Sequence, residues 1–416
     1  MKTNLKLALK VLARRKFFTF ISLFGISMTL VVLMVVSAVL DNFLAPRSPE
    51  SRFDRVLAIY TLSEEGMRGG AMQVKQSSAG YSILQQQLKT LPDIERAAIF
   101  SNPQTVTIYR GKSTIEATLK HTDADYWRIL DFHFIGGRPY TDAEDANGSR
   151  VAVITRSIAA QLFGSTNAIG RRFDLDSRTF QVVGVVDDPS VTRVAAFSKI
   201  WLPIGTIESS TFRHEVIGDF CGLVLAHSRA DFPRLKREFQ TRLRKVPVED
   251  PRLFSEYHGG LDTTFEAAAR IVTRNHDDNR GPMILGTVFV VAALLFMTLP
   301  ALNLVTLNLS RILERASEIG VRKAFGAARP ALVGQFVTEN IVLTVIGGVI
   351  GFVMATIALQ LITSSGVIPN AQFDVNLRIF GWGMLITVVF GLLSGVYPAW
   401  RMSRLDPVNA LRGGAL

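Results

Sequence analysis

Residues 283–309 and 336–362 are two apolar runs. Each exceeds the roughly 20 helical residues that cross a bilayer's hydrocarbon core. Between them lies a polar, helix-permissive stretch carrying Arg311, Arg315, Arg322, Lys323 and Arg329. The run 283–309 contains no charged residue, and a charge at its centre would cost about 2.5–3.5 kcal/mol on insertion scales. Cations in a short loop between spans place that loop in the cytoplasm. The direction of every other segment follows from that assignment. Topology alone would accept Lys and Arg in any order, so the cations by themselves say nothing about a partner.

The rest of the chain is consistent with this direction. Lys2, Lys6, Lys10, Arg14, Arg15 and Lys16 precede the first apolar run with no acid among them, while Leu5, Leu9 and Leu12 recur at helical spacing. Residues 1–16 read as an amphipathic helix on the cytoplasmic face. The apolar run 17–40 is longer than a signal peptide's core and ends in no small-x-small cleavage site, so it reads as the first span. Asp41, Pro46 and Pro49 mark its exit. The second span is 283–309, where Pro300 can kink the helix and Asn303 and Asn308 can hydrogen-bond across helices. Residues 310–335 form the cytoplasmic loop, 336–362 the third span, 363–377 a short outer connection, 378–400 the fourth span and 401–416 a basic cytoplasmic tail. Gly347, Gly348 and Gly351 in the third span, and Gly391 and Gly395 in the fourth, let neighbouring backbones approach closely. The fold class that results is an α-helical membrane protein with four transmembrane helices. A large α+β extracytoplasmic domain, residues 41–282, lies between the first and second.

That domain has no run long and apolar enough to span. Residues 81–91 read as a short helix, and 97–108 and 114–120 alternate like strands. Residues 151–154, 173–175, 180–186 and 201–204 read as strands, with a helix at 157–163. Residues 231–247 form an amphipathic helix with Phe232, Leu235, Phe239 and Leu243 on one face. A second such helix, 263–274, runs toward the next span and is interrupted by the polar residues 276–282.

Composition excludes several functions. Hydrophobic residues make up 48% of the 416, charged residues 19%, and mean hydropathy is +0.26. The net charge of +11 could suit nucleic acid. The cations cluster beside apolar runs, however, so anionic lipid headgroups and topology account for them and no nucleic acid is expected. The single cysteine, Cys221, allows no internal disulfide and reads as a small buried apolar residue. Arg110-Gly-Lys-Ser113 is not a Walker motif, because Val106 stands where its first glycine belongs. Asp187, Asp188, His121 and His133 lack metal-ligand spacing and read as solvated loop residues. No nucleophile elbow is present. Neither a catalytic residue, nor a metal, nor a cofactor is expected on this chain.

One order of residues in the central loop goes beyond topology. Glu318, Ile319, Gly320, Val321, Arg322, Lys323, Ala324, Phe325, Gly326 and Ala327 are followed by Gln335, Phe336 and Glu339. This resembles the signature of the FtsX/MacB-type ABC transporter permeases. The tail, with Pro398, Ala399, Arg401, Asp406, Pro407, Ala410, Leu411 and Arg412, is similar to that family's closing motif. The succession from Tyr126-Trp127 through Val151–Ile154, Leu162-Phe-Gly164 and Val183-Gly-Val185 resembles its MacB-like periplasmic core domain.

The resemblance implies a coupling helix at Glu314, Arg315 and residues 318–326 that docks on a separate ABC ATPase subunit. ATP and Mg would be held on that partner. Glu318, Arg322 and Lys323 would make polar contacts, and Ile319 and Phe325 would pack into a groove; the alternative is that the last two anchor the loop in the lipid interface. The resemblance also implies a second permease copy, identical or similar, and for exporters a periplasmic adaptor protein. It places the chain in the inner membrane with both termini cytoplasmic. Efflux of periplasmic or membrane-derived substrates is the expected function. A cell-division-type signal transmitter that activates wall hydrolases, and a lipoprotein-release permease, are the alternatives.

Overall fold

The structure is a computed structural model describing residues 16–68, 71–110, 113–273, 280–292, 294–295, 329–366, 369–371, 373, 376–385, 388–389 and 392. The chain divides into two compact units, one of apolar helices and one built on residues 43–286.

In the helical unit, α1 (Lys16–Leu44) is a single helix of 29 residues, longer at both ends than the expected 17–40. Among the described residues two helices are long and apolar enough to cross a membrane, Thr19–Leu44 and Val337–Ser365, with 18-residue stretches of mean hydropathy 2.6 and 2.5. The second of these belongs to a helix running Arg329–Ser365. Its 37 residues measure about 55 Å at 1.5 Å per residue, well beyond a hydrocarbon core. Residues 329–335, expected in the loop, are therefore helical. The ladder continues because nothing there breaks it: Pro330 sits in the first turn, where its missing N–H costs nothing. Of the expected second span only 283–292 and 294–295 are described, and of the fourth mainly the turns through 377–385.

The other unit is α+β. Its strands are β1 (Val56–Ile59), β2 (Leu62–Arg68), β3 (Ala71–Ala79), β4 (Arg96–Ser101), β5 (Gln104–Arg110), β6 (Ser113–Thr122) and β7 (Phe134–Gly137). They continue with β8 (Val151–Thr155), β9 (Arg172–Leu175), β10 (Arg178–Val186), β11 (Ile200–Pro203), β12 (Ile217–Gly218), β13 (Phe220–Leu225) and β14 (Glu256–His258). The sheet runs β14-β2-β3-β13-β4-β6-β11-β8-β10-β7, with β1 on β13, β12 on β3, β5 on β6 and β9 on β10. Most pairs are antiparallel; β8–β10 and β6–β11 are parallel. A parallel pair is covered on both faces, and β8 is accordingly buried at all five positions.

The helices of this unit are α2 (Tyr81–Ile83, continued by the wider turn Leu84–Leu88), α3 (Tyr126–Ile129), α4 (Asp142–Ala146), α5 (Arg156–Phe163), α6 (Phe232–Leu243) and α7 (Thr264–Thr273). Local chemistry sets their ends. Thr155 caps α5 by accepting from the Ile158 amide, and Gly164 closes it at φ +71°, a conformation only glycine adopts cheaply. α6 buries Phe232, Leu235, Phe239 and Leu243, as its spacing predicts. Among the described residues three apolar clusters fill the unit. The central one is aromatic: Trp127 and Trp201 meet edge-on at 5.7 Å, with Tyr126 and Phe132 against them. Cys221 lies in the same cluster, and burial pushes its thiol up to about 12.

Candidate functional site

The residues expected to receive an ATPase, Glu314, Arg315, Glu318, Ile319, Gly320, Val321, Arg322, Lys323, Ala324, Phe325 and Gly326, lie outside the described residues. So do Gly391 and Gly395, residues 1–15 and the tail. Gly347, Gly348 and Gly351 are described, and they do what small residues at four-residue spacing allow. Along Arg329–Ser365, Leu343, Gly347, Gly351, Ala355 and Leu359 are buried, while Val345, Val349, Val353, Ile357 and Leu361 are exposed. The helix thus has one close-packed stripe and one apolar stripe open to its surroundings, the division expected of a helix in lipid.

The buried stripe meets α1. A Cβ on Gly347 would sit 2.7 Å from Ile26 Cγ2, and one on Gly351 would sit 3.1 Å from both Leu30 Cβ and the Ser27 carbonyl oxygen. Ser27 Oγ donates to the Gly347 carbonyl at 2.9 Å, a bond that the same close approach permits. Glu339, the acid of the entry motif, is buried.

In the α+β unit the structure gathers charges that lie far apart in the chain. Glu50, Lys120 and Arg193 are 3%, 0% and 4% exposed. Glu50 Oε1 accepts from the amides of Ala195 and Ala196 at 3.0 and 3.1 Å. Lys120 Nζ, on β6, donates to the carbonyls of Val194 and Ala195, both at 2.8 Å. Arg193 Nη1 lies 3.8 Å from Glu50 Oε2 and donates to the Ala45 carbonyl at 2.8 Å. Burial raises Glu50 to about 7, against the pull of the Ala196 amide, Arg193 and Lys120; it lowers Lys120 to about 8. A second buried pair holds α7: Arg270 Nε and Nη2 grip the two oxygens of Asp262 at 2.7 and 2.9 Å. Asp262 in turn exchanges two backbone hydrogen bonds of 2.8 Å with Ala58 of β1.

The remaining titratable groups divide differently from the expectation of solvated loops. His121 lies on β6, and burial, with Arg178 nearby, depresses it to about 4. His133 Nδ1 and Arg156 Nη2 both pair with Asp187, at 2.6 and 2.7 Å. Asp188 accepts from the Ser157 amide at 3.0 Å in the first turn of α5, where a carboxylate suits the unsatisfied N–H groups. A cleft of about 350 Å³ is lined by Tyr81, Lys89, Asp123, Asp125, Asp145 and Arg213, among others. Lys89 bridges Asp123 and Asp125 at 2.7 and 2.8 Å, so much of its charge is internally paired.

This combination of a helix packed by glycines and a mixed sheet domain has relatives. The family model for the MacB-like periplasmic core domain matches residues 19–242, and that for the FtsX-like permease C-terminal region matches residues 290–407. The chain belongs to the MacB/FtsX-type family of ABC transporter permeases. It is 23% identical to the ABC transporter permease YknZ of Bacillus subtilis over 98% of both chains. It is also 23% identical to the macrolide export ATP-binding/permease protein MacB of Wolinella succinogenes, matching 98% of this chain but 60% of that one. With the pyoverdine export ATP-binding/permease protein PvdT of Pseudomonas fluorescens it shares 26% identity, over 78% of this chain and 47% of the relative. The chain therefore spans about half to three fifths of the fused relatives and nearly all of the B. subtilis permease.

Proposed function

We propose that the protein is the membrane subunit of an exporter, driven by an ABC ATPase on a separate chain. The observation that carries this reading is the order of the two family matches in one chain, core domain first and permease region second. It is supported by the end-to-end correspondence with a permease and by the export names of two fused relatives. The resident chemistry is mechanical rather than catalytic. ATP and Mg belong to the partner, which would close on nucleotide and push the loop 310–335.

In this reading four spans, 17–40, 283–309, 336–362 and 378–400, carry the chain across the inner membrane with both termini inside. Glu318, Arg322 and Lys323 make polar contacts with the ATPase, while Ile319 and Phe325 fill its groove. Two permease copies face each other, and the extracytoplasmic domain changes shape as the first and second spans move. The substrates are periplasmic or membrane-derived molecules, handed on to a periplasmic adaptor. The exposed stripe Val345 to Leu361 meets lipid, and Gly347, Gly348, Gly351, Gly391 and Gly395 pack helix on helix.

The test is to purify the tagged chain, identify co-purifying subunits, and reconstitute it with the ATPase found. Glu318→Lys should abolish stimulation of ATP hydrolysis and leave the chain folded. Full stimulation by that variant sinks the docking assignment. Co-purification of a wall hydrolase in place of an adaptor would redirect the function to signalling.

A further inference from the structure

We propose that Glu50, Arg193 and Lys120 are positioning residues: together they form the joint through which displacement of the first span reaches the sheet. The inference rests on the permease reading above and names the residues by which its motion enters the domain.

The chain leaves α1 after Leu44. Residues 45–52, Ala-Pro-Arg-Ser-Pro-Glu-Ser-Arg, contain no large apolar side chain. Such a segment cannot be gripped by a core, since burial of Ala and Pro removes little apolar area from water. It is held instead by polar bonds. Ser48 Oγ donates to the Asp131 carbonyl at 2.9 Å, the Asp131 amide donates to the Pro49 carbonyl at 2.7 Å, and Arg52 Nη1 donates to the Arg128 carbonyl at 3.0 Å. The strongest of these ties are the buried, charged ones.

Residues 193–196 are clasped from both sides. Their amides are taken by Glu50 and their carbonyls by Lys120, while Tyr126 Oη donates to the Ala195 carbonyl at 2.9 Å. Lys120 pairs in register with Trp201 across the parallel β6–β11 ladder, near the middle of the sheet. A continuous chain of bonds thus runs from Ala45 through Arg193 and residues 194–196 to β6 and β11. Charge-assisted bonds with fixed directions transmit displacement where an apolar contact would slide. Burying three charges is expensive, and matched pairing is the condition on which such a set persists.

The test uses the full chain reconstituted with its ATPase in nanodiscs, read by hydrogen exchange with and without trapped nucleotide. In the wild type, peptides of β6 and β11 should change their exchange on nucleotide trapping. Glu50→Gln should speed exchange at the Ala195 and Ala196 amides by about tenfold or more, as local opening becomes easier. It should also erase the nucleotide-dependent change in β6 and β11, with the ATPase still bound at wild-type stoichiometry. Arg193→Met removes the tie to Ala45 while leaving Glu50 and Lys120 in place, and it carries the test where Glu50→Gln fails to fold. Arg193→Lys should restore part of the response. A full nucleotide-dependent change in folded Arg193→Met or Glu50→Gln overturns the joint and leaves the permease reading standing. No change in the wild type with the ATPase bound takes down both.

Discussion

Two glycines of one helix make the packing account quantitative. Replacing either by alanine adds the same methyl group and the same gain in helix propensity, up to about 1 kcal/mol. Among the described residues Gly334 has nothing within 4 Å of where its Cβ would go, so Gly334→Ala should stabilise the chain by up to that amount. At Gly347 the new Cβ would lie 2.7 Å from Ile26 Cγ2 and 3.0 Å from Ile26 Cβ. Ile26 is buried and β-branched, and in a helix it has essentially one χ1 rotamer, so it cannot turn aside. Overpacking of this kind costs about 1–3 kcal/mol. Parting the helices would also stretch the Ser27–Gly347 hydrogen bond, of a type that averages about 0.6 kcal/mol in membrane proteins. Gly347→Ala should therefore be destabilising by about 1–2 kcal/mol net, some 2–3 kcal/mol below Gly334→Ala. Unfolding of the purified chain in lipid–detergent bicelles by SDS, followed by circular dichroism, measures both. Ile26→Ala combined with Gly347→Ala should recover part of the loss. Equal shifts of the same sign for the two glycine variants would refute the assignment of Gly347 to a helix contact.

Two further outcomes follow from the buried charges. Asp262→Asn leaves the Arg270 guanidinium buried without its carboxylate and should cost about 3–5 kcal/mol of stability in urea unfolding, whereas replacing both residues by apolar ones of similar size should cost much less. His121, depressed from 6.5 to about 4, takes up its proton less readily when folded, so stability present above pH 6.5 is lost as pH falls toward 4. Between pH 7 and 4.5 the wild type should lose about 2 kcal/mol more than His121→Gln, followed by tryptophan fluorescence; Trp127 and Trp201 lie in the core of that unit.

Local pattern was enough for part of the elements and their apolar faces, while β1, β2, β3, β7, β12, β13 and β14 went unread. The run Val151–Thr155, apolar apart from its cap, is a buried strand, and the four apolar residues of α6 all point inward. Gly164 stands where a helix had to end. What failed was everything set by distant partners. Residues 97–108 read as one alternating stretch, yet they form two strands. β4 pairs with β13 and β6, while β5 pairs with β6. Strand pairing is a property of two segments, and no single window contains it. His121 read as a loop residue because its burial comes from the sheet around it. Glu50 lies 145 and 146 positions from the amides it accepts. A carboxylate on a polar segment gives no sign that it will be buried, because its partners are backbone groups that every residue carries. In the membrane unit the glycine stripe was legible because four-residue spacing is a local property. The coupling stretch rests on its motif and lies outside the described residues.

The central claim is that the loop carrying Glu318, Arg322 and Lys323 lies in the cytoplasm and receives work from a nucleotide-driven neighbour. Labelling an Ala327→Cys variant, made in a Cys221→Ala background, with a membrane-impermeant maleimide tests its location directly. The account predicts no labelling in intact cells and full labelling once the inner membrane is permeabilised. Labelling in intact cells would contradict it.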